Sequence, residues 1–105
     1  MMVDDTETRA VKLLAIIDVA PDAPVEEIRR ELGKELKGSW DLFAAGVLRE
    51  AYLTDTPTRV VFILEAADMT DAEEQLDRLP LVAKGAMRVG LIELRPFTNW
   101  SRLFG

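Results

Sequence analysis

The chain contains no cysteine and no histidine. Those two absences remove thiolate nucleophiles, disulfides, His-bearing zinc and haem sites and every histidine-based catalytic triad from within the chain. Proton transfer is left to Asp, Glu, Lys, Tyr and bound water, with Arg as an electrostatic partner. Basic residues are also in deficit, since 13 Lys and Arg stand against 19 Asp and Glu for a formal charge of −6. With no basic stripe to displace phosphate counterions, nucleic acid is not an expected partner, and an anionic membrane surface is disfavoured as well. No apolar run approaches the roughly 20 residues of a spanning helix. The opening MMVDDTETR is acidic and polar, unlike a secretory or transit peptide, so a cytoplasmic location is expected. A carboxylate metal site has little support, because Asp71, Glu73, Glu74 and Asp77 have the spacing of a helix surface and no EF-hand-like loop accompanies them. No cofactor is expected.

What is present is a core. Hydrophobic residues make up 49% of the 105 positions, enough for one folded domain over residues 11–105 behind a flexible N-terminus at 1–10. Val11 to Ala20 reads as a strand, with Leu13, Ala15, Ile17 and Val19 on one face and Lys12, Leu14, Ile16 and Asp18 on the other. Pro24 suits the first position of a helix. Along that helix Ile28, Leu32, Leu36, Trp40 and Phe43 form one apolar stripe, opposite Glu26, Arg29, Arg30, Lys34, Glu35 and Lys37. Gly33 and Gly38 predict a bend, a break near Gly38 or a close approach to the backbone. Gly46 is placed to end the helix in a left-handed conformation.

Val47 to Thr54 and Thr58 to Ala66 read as a hairpin around Asp55-Thr56-Pro57. A second helix is expected from a capping box at Thr70, with Ala72, Leu76 and Leu79 buried and Pro80 as its stop. The last strand spans Ala86 to Pro96, and Gly90 within it suggests a bulge or a close backbone approach. The tail, with Phe97, Trp100, Leu103 and Phe104, is apolar enough that it should be docked on something.

The stretch WDLFAAGVLREAYLT, from Trp40 to Thr54, concentrates the chemistry-bearing residues. Strict alternation in its strand puts Leu48, Glu50 and Tyr52 on one side and Val47, Arg49, Ala51 and Leu53 on the other. An acid and a phenol two residues apart, with Trp40 and Phe43 arriving from the preceding helix, fit one mostly apolar pocket with few polar groups. The plainer alternative is a half-solvated strand beside ordinary core aromatics.

Strand, helix, strand, strand, helix, strand is the order of a ferredoxin-like βαββαβ fold, an α+β unit with both helices on one face of a four-stranded antiparallel sheet. Leu14, Ile16, Val61 and Ile63 leave the second face apolar too. Exposing large side chains forfeits roughly 1.5–3 kcal/mol each, so a homodimer that covers this face is expected.

The chain resembles the dimeric α+β barrel superfamily, in particular small bacterial proteins grouped with muconolactone isomerase. The resemblance rests on AGVLREAY at 45–52, LPLVAKG at 79–85, LRPF at 94–97 and the terminal Leu103-Phe104. Members that rely on histidine have no counterpart here. The resemblance implies two sheets paired as a dimeric barrel, and a pocket between sheet and first helix for an aromatic, lactone or polyketide-like molecule. The activity it suggests is cofactor-free isomerase or cyclase chemistry on a small hydrophobic carbonyl compound. Glu50 is then the general base, favoured if burial raises its pKa, and Tyr52 holds or protonates the enolate oxygen. Trp40 and Phe43 pack on the ring. Arg49 either pairs with a carboxylate at the dimer interface or holds an anion. The other readings are a non-catalytic ligand-binding module, a structural dimerisation module and, as a minor option hinted at by Asn99 and Trp100, cofactor-free oxygenation.

Overall fold

In a computed structural model of the protein, which describes residues 11–105, the strand β1 (Val11–Val19) occupies the middle of the sheet. The proposed N-terminal segment 1–10 lies outside the described residues. Alternation along β1 is realised from Leu13 to Asp18 and lost at Val19: Leu13, Ala15 and Ile17 are buried, Leu14, Ile16 and Asp18 on the reverse face are only half-buried, and Val19, expected with the buried set, is 53% exposed at the strand end. Antiparallel neighbours flank it, β3 (Val60–Ala66) on one side and β4 (Met87–Leu94) on the other. With β2 (Leu48–Leu53) outside β3, the sheet order is β2-β3-β1-β4, consistent with a ferredoxin-like fold. Gly90 produces no bulge, since it pairs with Ile16 in an unbroken register and a Cβ there would meet nothing within 4 Å.

The helices are α1 (Val25–Ala44), α2 (Met69–Leu76) and α3 (Pro80–Ala83). The order is therefore βαββααβ, because the expected crossing segment after Pro80 forms its own short helix. Pro80, at its first position, lacks only an N–H that no helical carbonyl would have accepted. Helix α2 starts before Thr70 because Asp68 is the better cap. Its carboxylate accepts the Asp71 N–H at 2.8 Å, while the Asp71 carboxylate accepts the Ala67 N–H at 2.9 Å. Leu79 falls beyond that helix and is buried as the residue that leads into α3.

Helix α1 runs unbroken through Gly33 and Gly38. Close approach explains the second glycine: a Cβ at Gly38 would stand 2.9 Å from Leu79 Cδ2. The helix ends as expected at Gly46, whose φ of 79° is left-handed. Two bonds close that end, Gly46 N–H to the Phe43 carbonyl and Val47 N–H to the Leu42 carbonyl, each 3.0 Å.

The buried side of α1 differs from the expected stripe. Leu42 and Glu35 are buried, and Ile28, Glu31 and Gly38 are half-buried, which defines one line at three- and four-residue spacing. Leu32, Leu36, Trp40 and Phe43 lie on the flank of that line and stay exposed, Leu36 at 61% and Trp40 at 62%. The cause is packing: α1 rests chiefly on α3 and on the edge strand β2, so it overhangs the sheet instead of lying flat across it. The core combines Leu13, Ala15, Ile17, Phe62 and Leu64 of the sheet with Leu42, Ala72, Leu76 and Leu79.

The tail also departs from expectation. Beyond β4 it forms a short 3-10 helix (Asn99–Leu103) whose Trp100 meets the preceding Phe97 edge-to-face at 5.0 Å, yet Trp100 is 65% and Phe104 85% exposed. Nothing among the described residues covers it.

Candidate functional site

Strand β2 carries a bulge. Leu48 pairs with Leu64, but the next pair is Glu50 with Ile63, which leaves Arg49 as an extra residue. Leu48 is consequently buried on the helix side, whereas Glu50 and Tyr52 stand opposite Ile63 and Val61 on the open face. Ala51 and Leu53, opposite Phe62 and Val60, return to the helix side. Strict alternation is overturned at this point. Arg49 does not oppose Glu50 across the sheet; its Nε lies 3.9 Å from Oε1 of Glu65, a residue of the same open face.

The bulge and the overhang of α1 together make a trough along the edge of β2. Its outer part, a groove of about 500 Å3, is lined by Leu36, Ser39, Trp40 and Phe43 from α1 and by residues 48–52 of β2. All five residues singled out in the sequence border it. Trp40 and Phe43 stack at 5.4 Å between ring centroids with an interplanar angle of 27°. Facing them, the Tyr52 hydroxyl donates a 2.5 Å hydrogen bond to Oε1 of Glu50. That bond, and the negative charge behind it, raise the Tyr52 pKa above the ordinary phenol range, because ionising the phenol would set two anions side by side. Both side chains are exposed.

Behind this groove, on the helix side of the sheet, an inner cleft of about 480 Å3 shares Leu36, Ser39, Ala51 and Tyr52 with it. Ile17, Leu53, Val60, Phe62 and Met87 give it an apolar floor. Its acid is Glu35, a residue that a polar-face reading of α1 overlooks. The side chain is only 8% exposed, and its Oε1 accepts the Leu81 N–H at 2.8 Å. Burial raises the Glu35 pKa, against the opposing pull of the Leu81 bond. A signal for Glu35 was available in Gly38. The small residue marks where another chain segment comes closest, and the line Ile28–Glu31–Glu35–Gly38–Leu42 passes through it.

No protein-family model, no curated protein and no solved structure matches the chain. Chemical capacity is therefore argued from the side chains alone. A carboxylate bonded to a phenol, beside two stacked aromatic rings, suits proton transfer on a flat apolar molecule. Among the described residues Arg49 is the one cation bordering either part of the trough. Among the described residues no three acids converge as metal ligands, and no helix is long and apolar enough to cross a membrane.

One turn from Glu35, Lys84 ties α1 to the segment after α3 through Glu31 at 2.9 Å and Glu27 at 3.4 Å. The Lys84 contact lowers the Glu31 pKa, and the two carboxylates raise that of Lys84. This clamp holds the overhanging helix in place.

Proposed function

We propose that the protein is a cofactor-free isomerase or cyclase of the dimeric α+β barrel kind, acting by proton transfer on a small hydrophobic carbonyl compound held in the trough between α1 and β2. The observation that carries this reading is the 2.5 Å hydrogen bond between Tyr52 and Glu50 at the lip of an apolar groove. Glu50 as carboxylate removes a proton from the carbon beside the carbonyl. The electron pair of that C–H bond moves onto the carbonyl oxygen as an enolate; with Glu50 now protonated, the Tyr52 hydroxyl is released from it and turns to hydrogen-bond the enolate oxygen. Glu50 then returns the proton to another carbon, so the net change is a rearrangement. Trp40 and Phe43 pack against the flat part of the substrate, and Arg49 balances charge at the lip.

A second copy completes the unit in this reading. Leu14, Ile16, Val61, Ile63 and Ile92 form an apolar patch on the open face, too large for a solitary chain to leave wet. The exposed tail residues Phe97, Trp100, Leu103 and Phe104 supply further surface for the same association.

The test is proton exchange in D2O, followed by NMR on a panel of unsaturated lactones, aryl ketones and β-dicarbonyl compounds. Deuterium should enter the carbon beside the carbonyl of at least one of them faster with protein than without. Glu50→Gln should slow that exchange by about 10²-fold or more, and Tyr52→Phe should lower it while folding is retained. A folded, dimeric protein that accelerates exchange on none of them defeats the catalytic reading. Binding without exchange would favour the non-catalytic ligand-binding module, which the apolar lining of the trough alone suffices to support.

A further inference from the structure

Glu35 is the buried acid that the chemistry above does not use. It sits at the inner end of the trough, among Leu32, Leu36, Leu79 and Met87. Its structural duty, accepting the Leu81 N–H, occupies only Oε1. Glu35 nonetheless lines the inner cleft, and among the described residues its second carboxyl oxygen has no hydrogen-bond partner. The remaining polar side chains of the inner cleft are Ser39, whose hydroxyl donates to the Leu36 carbonyl at 2.8 Å, and Tyr52, which donates to Glu50. Both donors are committed, and among the described residues no Lys or Arg lines this part.

We propose that Glu35 is a ligand-contacting residue whose free carboxyl oxygen takes the polar head of an uncharged hydroxyl- or carbonyl-bearing hydrophobic compound, and turns carboxylates away. The inference rests on the small-molecule reading of the trough, but not on Glu50 or Tyr52 being catalytic. A hydroxyl head donates to the ionised form; a carbonyl head accepts from the neutral acid, which burial favours. A carboxylate head meets one acid at the inner end and another at the lip, where the one bordering cation among the described residues, Arg49, lies 3.9 Å from Glu65. Glu31, one turn away on α1, is paired with Lys84 at 2.9 Å.

The experiment compares 2-naphthol with 2-naphthoate, two ligands of one shape and different head charge near neutral pH, titrated by calorimetry into the full chain and into Glu35→Gln. Glutamine keeps an oxygen for the Leu81 N–H, so the fold is retained while the charge is lost. The wild-type protein should prefer the naphthol by about tenfold or more, and Glu35→Gln should shrink that preference to about threefold or less, mainly through tighter naphthoate binding. An undiminished preference overturns the proposal, as does failure of the wild-type protein to bind 2-naphthol. Should Glu35→Gln not fold, the Leu81 amide resonance of the wild-type protein decides: it should move on saturation with 2-naphthol, and an unmoved resonance is again negative. If proton exchange on carbonyl compounds persists while the preference ignores Glu35, this inference alone falls. If the preference follows Glu35 but no compound exchanges, the catalytic reading alone falls.

Discussion

Tyr52, the only tyrosine of the chain, spends its hydroxyl proton on Glu50 across the bulged edge of β2. Its titration can therefore be watched directly, with no other phenol in the background. The tyrosinate absorbance of the wild-type protein should rise at higher pH than that of a free phenol. In Glu50→Gln the carboxylate that opposes ionisation is gone, and the midpoint should fall back toward the ordinary value. An identical midpoint in both proteins would mean that the bond does not persist in solution.

Two leucines of α1 test which of its faces supports the fold. Leu42 is 1% exposed within the core, whereas Leu36 is 61% exposed above the trough. Leu42→Ala should cost about 2–5 kcal/mol in denaturant unfolding. Leu36→Ala should cost under about 1 kcal/mol, and its effect should appear in ligand affinity. Equal losses at the two positions would show that the helix is rotated from the orientation described.

Two glutamates of the same helix should respond to pH with opposite sign. The raised pKa of Glu35 means that its contribution to stability is complete below the ordinary value near 4.5 and is lost as pH rises through the raised value. Glu31, lowered by Lys84, contributes above that ordinary value and loses its contribution as pH falls through the lowered one. Melting curves from about pH 3 to about pH 8 should show Glu35→Gln gaining on the wild-type protein as pH climbs, and Glu31→Gln falling behind over the same climb. Added salt should shrink the Glu31 difference more, because its partner Lys84 is the more exposed to solvent.

Removing residues 97–105 deletes four exposed apolar side chains and no core residue. The shortened chain should keep its melting transition at high concentration but associate more weakly, by about tenfold or more in dissociation constant, as measured by light scattering across a dilution series. Unchanged association would exclude the tail from the proposed dimer contact.

Periodicity made the sheet legible. Leu13, Ala15 and Ile17 on one side of β1 and Phe62 and Leu64 on the same side of β3 are buried as their alternation requires, and the strand order follows from hairpin and crossover lengths. Helix α1 was less legible because hydrophobicity and burial diverge on it. Its apolar stripe borders an open cleft, while Glu35 and Gly38 occupy the line of closest packing. The bulge at Arg49 could not be seen at all, since no glycine marks it and an extra residue announces itself only through the pairing partner. The same five side chains still border one groove, because both the bulge and the overhang act along a single edge.

That extra residue also separates two burdens within β2. Leu48 anchors the strand in the interior, while the polar side chains two and four positions later are exposed at the groove and contribute nothing to the buried core. Positions 50 and 52 can thus be substituted at little expense to folding, so changes there read out the groove and leave the foundations of the sheet in place.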